Sequence, residues 1–212
     1  MAELYAGTSG WSYPSWRPGF YPSGTKPADF LRYYAERFPT VELNTTGYRL
    51  PAEEQFSRWA EQTPTGFRFA PKMNGHRRVD VATFSERVAL LGDRLGPIRV
   101  LVGSGRDEGL LTLVLGSFDA SVRLAFDFRH DSWAGVDREL PENAVRVGSL
   151  DGPAAFRYLR LREPPYDDDS LAGWADRIRP LLAEGVDVYV FFKHEDEPTA
   201  PRFAQRLLDL LL

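Results

Sequence analysis

The chain has 212 residues, of which 43% are hydrophobic and 26% are charged, and its formal net charge is −4. A chain of this size can bury one ordinary core, its acidic balance argues against a general polyanion binder, and its lack of cysteine excludes disulfides, thiolate metal sites and a cysteine nucleophile. The longest apolar runs are too short to span a bilayer, and the first residues lack the basic start and apolar run of a signal peptide, so we expect a cytoplasmic protein without a membrane partner.

Eight segments rich in apolar and β-branched residues are predicted as strands. They lie at residues 3–8, 40–46, 67–72, 98–103, 122–128, 144–150, 156–162 and 186–193. Between most of them, apolar residues recur at the three- and four-residue spacing of amphipathic helices. These patterns lie at residues 31–38, 56–60, 171–178 and 203–211. Pro51 suits the first helical position of the second pattern, and the acidic run 167–169 is predicted as the solvated start of the third.

The alternation of strand and helix predicts an α/β fold with a parallel sheet and right-handed crossovers. About eight units in a chain of this length fit a single TIM-like (β/α) barrel better than an open, doubly wound sheet. The connection "DGPAAF" between the sixth and seventh strands is too short for a helix, so either one unit is degenerate or the chain has one strand fewer. Neither a linker nor an internal repeat interrupts the sequence, which predicts a single domain over residues 1–212.

Five long motifs, spread over essentially the whole chain, allow a comparison with a known family. They are "GTSGWSYPSWRPGFYP", "YYAERFPTVELNTTGYRLP", "FRFAPK", "DFRHDSW" and "VYVFFKHEDEPTAPRFAQRLLDL". In this order they resemble the YecE-like family, a domain of unknown function. The resemblance implies a TIM-barrel-like fold related to the barrels of xylose isomerase and endonuclease IV, and it implies no established activity.

The same resemblance identifies positions at which this chain departs from the family. They are Gly47 in place of the usual phenylalanine, Arg162 in place of the usual histidine, Lys193 and His194 in place of a pair of amides, and Asp127 in place of a glutamate. The first loop and most other matching positions are kept. The resemblance therefore implies a binding site that persists with an altered substrate or altered chemistry.

The first loop is long and aromatic. In a (β/α) barrel the loop after each strand lies at the functional face, which places residues 9–26 over the mouth. We predict that Gly7 and Gly10 let the backbone approach a ligand and that Trp11 forms a wall of the binding site. Tyr13 and Trp16 are predicted either to be further walls or to hold the loop in place by hydrophobic burial.

Charged and polar residues recur at the predicted carboxyl ends of the strands. A buried parallel strand would be aliphatic there, and a buried charge is costly unless it is paired or functional. Their recurrence on many strands therefore predicts a site at the mouth of the barrel. The candidates are Glu42 and Asn44 on the second strand, Lys72 on the third, Asp127, Arg129, His130 and Trp133 on and after the fifth, Asp151 after the sixth, Arg160 and Arg162 on the seventh, and Lys193 and His194 after the eighth.

These residue types favour an enzyme that binds an anionic, phosphate- or carboxylate-bearing ligand and uses carboxylate acid/base chemistry. The predicted roles are proton transfer for Glu42 and Asp127, anion binding for Lys72, Arg129 and Arg160, orientation for Asn44 and His130, and walls for Trp11 and Trp133. A structural interpretation competes with this one, in which Glu42 with Lys72, or Asp127 with Arg160, are ion pairs that hold the barrel interior.

Three alternatives stay open. "GHRRVD" with the Arg157, Arg160 and Arg162 series, and stacking on the loop aromatics, would suit nucleic acid. Glu42, Asp127 and Asp151 with a histidine would suit a divalent metal, as in an endonuclease-like barrel. A non-catalytic ligand-binding barrel would keep the site without turnover. The sequence assigns no cofactor and no oligomeric state.

Overall fold

The computed structural model describes residues 2–75, 80–193 and 196–212. Within these ranges, eight parallel strands form one sheet that curls into a nearly closed barrel, and six α-helices surround it. The strands are β1 Leu4–Ser9, β2 Thr40–Leu43, β3 Arg68–Asn74, β4 Ile98–Val102, β5 Leu124–Phe128, β6 Ala144–Arg146, β7 Phe156–Leu161 and β8 Asp187–Phe192. The helices are α1 Phe30–Ala35, α2 Glu53–Glu61, α3 Val81–Ala89, α4 Glu108–Gly116, α5 Asp168–Ala183 and α6 Thr199–Leu211. The predicted TIM-like α/β barrel is confirmed.

Strand pairing does not continue all the way round the barrel. The strand order is β6-β5-β4-β3-β2-β1-β8-β7, so β6 and β7 are the two ends of the sheet. At their junction, which we call the seam, the amide of Gly148 donates to the carbonyl oxygen of Tyr158 over 2.9 Å. Residues 147–155, between β6 and β7, contain no helix, which confirms the degenerate unit. The connection from β5 to β6 forms only short 3₁₀ turns, so a second unit lacks an α-helix, and the sequence did not predict this.

Two hydrophobic layers explain why the strands are buried on both faces. Side chains alternate along a strand, so every second residue faces the helices and the others face the barrel interior. Ile98, Val100 and Val102 of β4 belong to the outer core between sheet and helices. A smaller cluster, with Tyr5, Ala70, Ala125, Val145, Phe156, Tyr158, Tyr189 and Phe191, fills the interior. The helices described here are too short or too polar to cross a membrane.

The backbone at Gly7 lies close to a neighbouring strand, whereas the sequence analysis predicted that it would approach a ligand. A Cβ atom on Gly7 would lie 2.1 Å from the carbonyl oxygen of Thr40 on β2. The hydroxyl group of Tyr34, from α1, fits beside it, accepting from the amide of Thr8 (2.8 Å) and donating to the Thr40 carbonyl (3.0 Å). Gly7 therefore lets a helix tyrosine join β1 to β2.

The start of α5 agrees with the prediction from the sequence, whereas the start of α2 differs from it. Asp167 caps α5 by accepting a hydrogen bond from the amide of Ser170 (2.8 Å), as expected for an acidic helix start. α2 begins at Glu53 and not at Pro51. The carbonyl oxygen of Pro51 instead accepts from Arg87 Nη1 on α3 (2.9 Å), which holds this residue outside the helix.

Candidate functional site

Five charged side chains from five different strands face the interior of the barrel, toward its carboxyl end. They are Glu42 of β2, Lys72 of β3, Arg99 of β4, Asp127 of β5 and Arg160 of β7, and we call them the inner polar layer. The first four residues are at most 5% exposed, and the side chain of Arg160 is 8% exposed. The structure thus brings the predicted residues Glu42, Asp127 and Arg160 into contact around Arg99, which the sequence analysis missed. Two further predicted residues, Asn44 and Arg129, are hydrogen-bonded to this group.

Both carboxylate oxygens of Glu42 are occupied. Oε1 accepts from the hydroxyl group of Tyr158 (2.8 Å) and lies 2.8 Å from Nε of Arg160, while Oε2 accepts from Ser9 Oγ (3.0 Å) and Arg160 Nη2 (2.9 Å). Arg99 Nη1 lies 3.7 Å from Oε1. One guanidinium N–H and two hydroxyl donors use lone pairs of both oxygens of this carboxylate, and Arg160 Nε adds a close ion-pair contact. The geometry therefore favours a role for Glu42 as a fixed anion that positions Arg160, rather than as a group that transfers protons.

Electrostatics keep Glu42 ionised. Burial by itself would raise its pKa, but the guanidinium groups of Arg99 and Arg160 and the hydrogen bond from Tyr158 outweigh burial and lower the pKa from 4.5 to about 2. Burial and the neighbouring Glu42 carboxylate raise the pKa of Tyr158 well above its usual value. At neutral pH this pair is therefore a carboxylate and a protonated phenol.

The lowered pKa of Glu42 predicts a loss of stability in acid. A carboxyl group whose pKa is lower in the folded than in the unfolded state stabilises the fold above its unfolded pKa, and this contribution disappears as the pH falls through the folded pKa. A shift from 4.5 to about 2 corresponds to about 3 kcal/mol, lost between about pH 5 and pH 2. Urea unfolding of the wild type and of Glu42→Gln across this range measures it. We expect a flatter pH dependence in Glu42→Gln.

Glu61→Gln is the matched control, because it removes an exposed carboxylate from the surface of α2. It should keep the wild-type slope between pH 5 and pH 2. Equal slopes in Glu42→Gln and the wild type would contradict the ionised, arginine-paired state of Glu42.

Only one of the two carboxylate oxygens of Asp127 accepts hydrogen bonds from the described residues. Its Oδ2 accepts from Arg99 Nε (2.9 Å) and from Arg129 Nη2 (2.7 Å), with Arg160 Nη1 at 3.9 Å. None of the described residues donates a hydrogen bond to Oδ1. The predicted pair of Asp127 with Arg160 therefore exists, but Arg99 is the closer partner. The open oxygen can accept a proton or a hydrogen bond from a ligand.

Lys72 does not pair with Glu42 as the structural interpretation predicted, because Arg99 and Arg160 take that carboxylate. Its Nζ instead lies 4.3 Å from the ring centroid of Tyr48, which is 72% exposed at the rim. The departure at Gly47 gives the lysine room, since a Cβ atom there would lie 2.7 Å from Lys72 Cδ.

One cavity at the mouth, which we call the aromatic cavity, has a volume of about 540 Å³. It lies between the first loop and α2. Its apolar lining includes Trp11, Tyr13, Leu31, Leu43 and Trp59, and its polar lining includes Glu42, Asn44, Gln55, Arg58 and Gln62. The prediction of Trp11 as a wall agrees with this placement. Trp16 is fully buried beside Phe20 and Tyr21, so this residue holds the loop in place.

A second cavity, which we call the basic cavity, has a volume of about 510 Å³. Its lining includes Arg129, Arg160, Arg162, Glu163, Tyr166, Trp174 and Lys193. Burial, followed by repulsion from Arg160, Arg129 and Arg99, lowers the pKa of Arg162. Arginines thus outnumber carboxylates among the lining residues of this cavity.

Several predicted site residues lie elsewhere. Trp133 is fully buried, stacks on Phe128 (centroid distance 4.3 Å) and donates from Nε1 to the carbonyl oxygen of Ser104 (3.0 Å). It fixes the loop after β5 and forms no wall of either cavity. His130 is exposed, and its Nδ1 accepts from the amide of Ser132 (3.1 Å) in the same turn, which suits a turn cap better than ligand orientation.

Some residues of the nucleic-acid and metal alternatives lie apart from the two cavities, although Arg160 and Arg162 of the arginine series both line the basic cavity. Arg157 donates to the carbonyl oxygens of Leu150, Gly152, Ala154 and Phe156, so it is not available for nucleic acid. Asp151 lies in the exposed loop after β6. Among the described residues, no three histidine, aspartate or glutamate side chains are grouped as a metal site requires. His194 and the residues 76–79 of "GHRRVD" lie outside the described ranges.

Comparison with known proteins identifies the family. The family model described as "Protein of unknown function DUF72" matches residues 5–212. The chain belongs to the DUF72 family. UPF0759 protein YunF of Bacillus subtilis (strain 168) is 24% identical over 214 residues, which cover 96% of this chain and 70% of YunF. UPF0759 protein YecE of Escherichia coli (strain K12) is 38% identical over 103 residues, or 44% of this chain and 35% of YecE. The resemblance to the YecE-like family is confirmed.

Solved structures of DUF72 family proteins have the same fold. One from Enterococcus faecalis V583 superposes with a TM-score of 0.83 at 18% identity, covering 98% of this chain and 95% of the other. Another, from Thermotoga maritima MSB8, gives a TM-score of 0.73 at 22% identity over 99% of both chains. At these identities the structural similarity establishes the shared barrel fold and assigns no activity to this chain.

Proposed function

We propose that this DUF72 protein binds a small anionic ligand, bearing a phosphate or a carboxylate, in the basic cavity at the mouth of the barrel. The observation that carries the proposal is the convergence of Arg129, Arg160 and Arg162 on one cavity, where Arg162 is repelled by its arginine neighbours. A bound anion would relieve this repulsion and accept charge-assisted hydrogen bonds from planar guanidinium groups. Lys193 lies on the lining of the same cavity.

We further propose that the site is enzymatic, with Asp127 as the acid/base group. Its open Oδ1 supports this role, and its Oδ2 is held by Arg99 and by Arg129, which also lines the basic cavity. Glu42, predicted to share proton transfer, is better suited to hold Arg160 in place because both of its oxygens are occupied. Acid/base chemistry next to an anion-binding pocket is a common arrangement in (β/α) barrels.

Inorganic phosphate tests the binding proposal. We expect phosphate to raise the melting temperature of the wild type at low ionic strength, because a ligand that binds the native state stabilises it by mass action. Arg162→Gln should weaken phosphate binding by about tenfold, since one charge-assisted hydrogen bond is worth about 1.5 kcal/mol or more. Titration calorimetry at constant ionic strength measures the affinity directly.

Arg37→Gln is the control, because Arg37 is a partly exposed arginine just before β2, at the opposite end of the barrel. It should bind phosphate like the wild type. Asp127→Asn separates binding from chemistry, because it should retain phosphate binding and lose turnover of any phosphate ester that the wild type hydrolyses or rearranges. Equal phosphate affinity in the wild type and Arg162→Gln would refute the basic cavity as the anion site.

A further inference from the structure

The aromatic cavity and the basic cavity lie on the two sides of one ion pair. Glu42 lines the aromatic cavity and Arg160 lines the basic cavity. The two side chains are joined by Arg160 Nη2 and Glu42 Oε2 at 2.9 Å and by Arg160 Nε and Glu42 Oε1 at 2.8 Å. The two cavities are therefore neighbouring parts of one mouth, with oppositely charged groups at their boundary.

The aromatic cavity offers an apolar wall. Trp11 and Trp59 meet edge to face, with centroids 5.6 Å apart and planes at 86°. Leu31 and Leu43 extend this wall. Aromatic walls of this kind bind the apolar faces of rings, whether heteroaromatic or the C–H face of a sugar.

The other side of the same cavity offers free hydrogen-bonding groups. Gln55, Arg58 and Gln62 follow one another on one face of α2 and the residue after it, at spacings of three and four residues. Within the described part of the chain, their side chains form no hydrogen bonds. The amide nitrogen of Asn44 is also without a partner there, while its oxygen accepts from Arg99 Nη1 (3.4 Å). Amide side chains present a donor and an acceptor side by side, which suits the polar edge of a ring.

We propose that the mouth takes a compound in which an anionic group is joined to a ring with an apolar face and hydrogen-bonding edges. The ring lies in the aromatic cavity and the anion in the basic cavity. This inference rests on the anion binding proposed above and names the ligand class. The volume of about 540 Å³ falls within the range of about 300–1,000 Å³ typical of small-molecule sites.

Titration calorimetry with four probes tests the inference. The probes are inorganic phosphate, a nucleoside 5′-monophosphate, a hexose 6-phosphate and the uncharged nucleoside. At least one ring phosphate should bind ten times or more tightly than inorganic phosphate. The nucleotide and the sugar phosphate distinguish a heteroaromatic from a sugar ring.

Variants of the aromatic cavity locate the ring. In the double variant Gln55→Ala/Gln62→Ala the affinity ratio of the ring phosphate to inorganic phosphate should fall at least fivefold, while the affinity for inorganic phosphate stays unchanged. Glu61→Ala, on the exposed side of α2, is the control.

The outcomes separate this inference from the one on which it rests. If inorganic phosphate binds and neither ring phosphate binds more tightly, the ligand class is wrong and the anion site stands. If phosphate itself does not bind, the anion site is wrong. A ring phosphate could also bind more tightly than inorganic phosphate and keep this advantage in both Gln55→Ala/Gln62→Ala and Trp11→Ala. The ring would then lie outside the aromatic cavity, and the inference would be overturned.

Discussion

Arg99→Met is expected to lower the free energy of unfolding by about 3–5 kcal/mol, because it removes one of the two buried cations that Glu42 and Asp127 share and leaves Arg160 as the other. Arg99 is 3% exposed, donates from Nε to Asp127 Oδ2 (2.9 Å) and lies 3.7 Å from Glu42 Oε1. Methionine fills a similar volume, so the loss of charge dominates over the loss of packing. Urea unfolding at neutral pH measures the change.

The same substitution at Arg206 is the control. Arg206 on α6 pairs with Asp168 over 2.8 Å, but the two side chains are 46% and 75% exposed. Such a pair contributes about 1 kcal/mol or less. If Arg99→Met does not fold, Arg99→Lys, which keeps the charge and loses the planar fork, should fold with intermediate stability. Equal effects at Arg99 and Arg206 would show that solvent, and not Arg99, compensates the interior carboxylates.

Gly7→Ala should be among the most damaging single substitutions in the barrel. The added Cβ atom would lie 2.1 Å from the Thr40 carbonyl oxygen and 2.9 Å from the hydroxyl group of Tyr34. The carbonyl belongs to the paired strand β2 and cannot move away without parting β1 from β2. We expect a loss of more than about 4 kcal/mol, measured by urea unfolding or, for a variant that does not fold, by the loss of the folded circular dichroism signal.

Gly116→Ala provides the matched comparison. This glycine lies in the last turn of α4, and a Cβ atom there has no neighbour within 4 Å. Alanine should be neutral or stabilise the protein by up to about 1 kcal/mol, because it favours the helix. If Gly7→Ala were as mild as Gly116→Ala, the close packing of β1 against β2 and Tyr34 would be contradicted.

The fold could be predicted because its signals are local. The pattern of β7, in which Arg157 and Leu159 alternate with Tyr158 and Arg160, is visible in the sequence and places Arg160 inside the barrel. The missing helix before β7 follows from a connection too short to hold one. The missing helix after β5 could not be predicted in the same way, because that connection is long enough for a helix and forms 3₁₀ turns instead.

The site was predicted less completely, since its partners come from distant parts of the chain. Arg99 was missed because it lies near the start of β4, whereas the candidates were taken from the carboxyl ends of the strands; its lone charge in an apolar strand was the available signal. Tyr158 has no such sign, since a tyrosine in a strand usually contributes to packing, and its hydrogen bond to Glu42 joins residues 116 positions apart. Trp133 was assigned to the wall because it follows a strand end, but its indole turns inward to Ser104.

The seam between β6 and β7 is the place where the sheet has exposed strand edges. An open sheet edge can pair with a strand of another molecule and start aggregation. Here β6 has only three residues, and the adjoining loop gives its carbonyl oxygens at Leu150, Gly152 and Ala154 to the guanidinium group of Arg157. An incoming strand would find few free acceptors. One buried arginine thus protects the edge that the incomplete barrel leaves open.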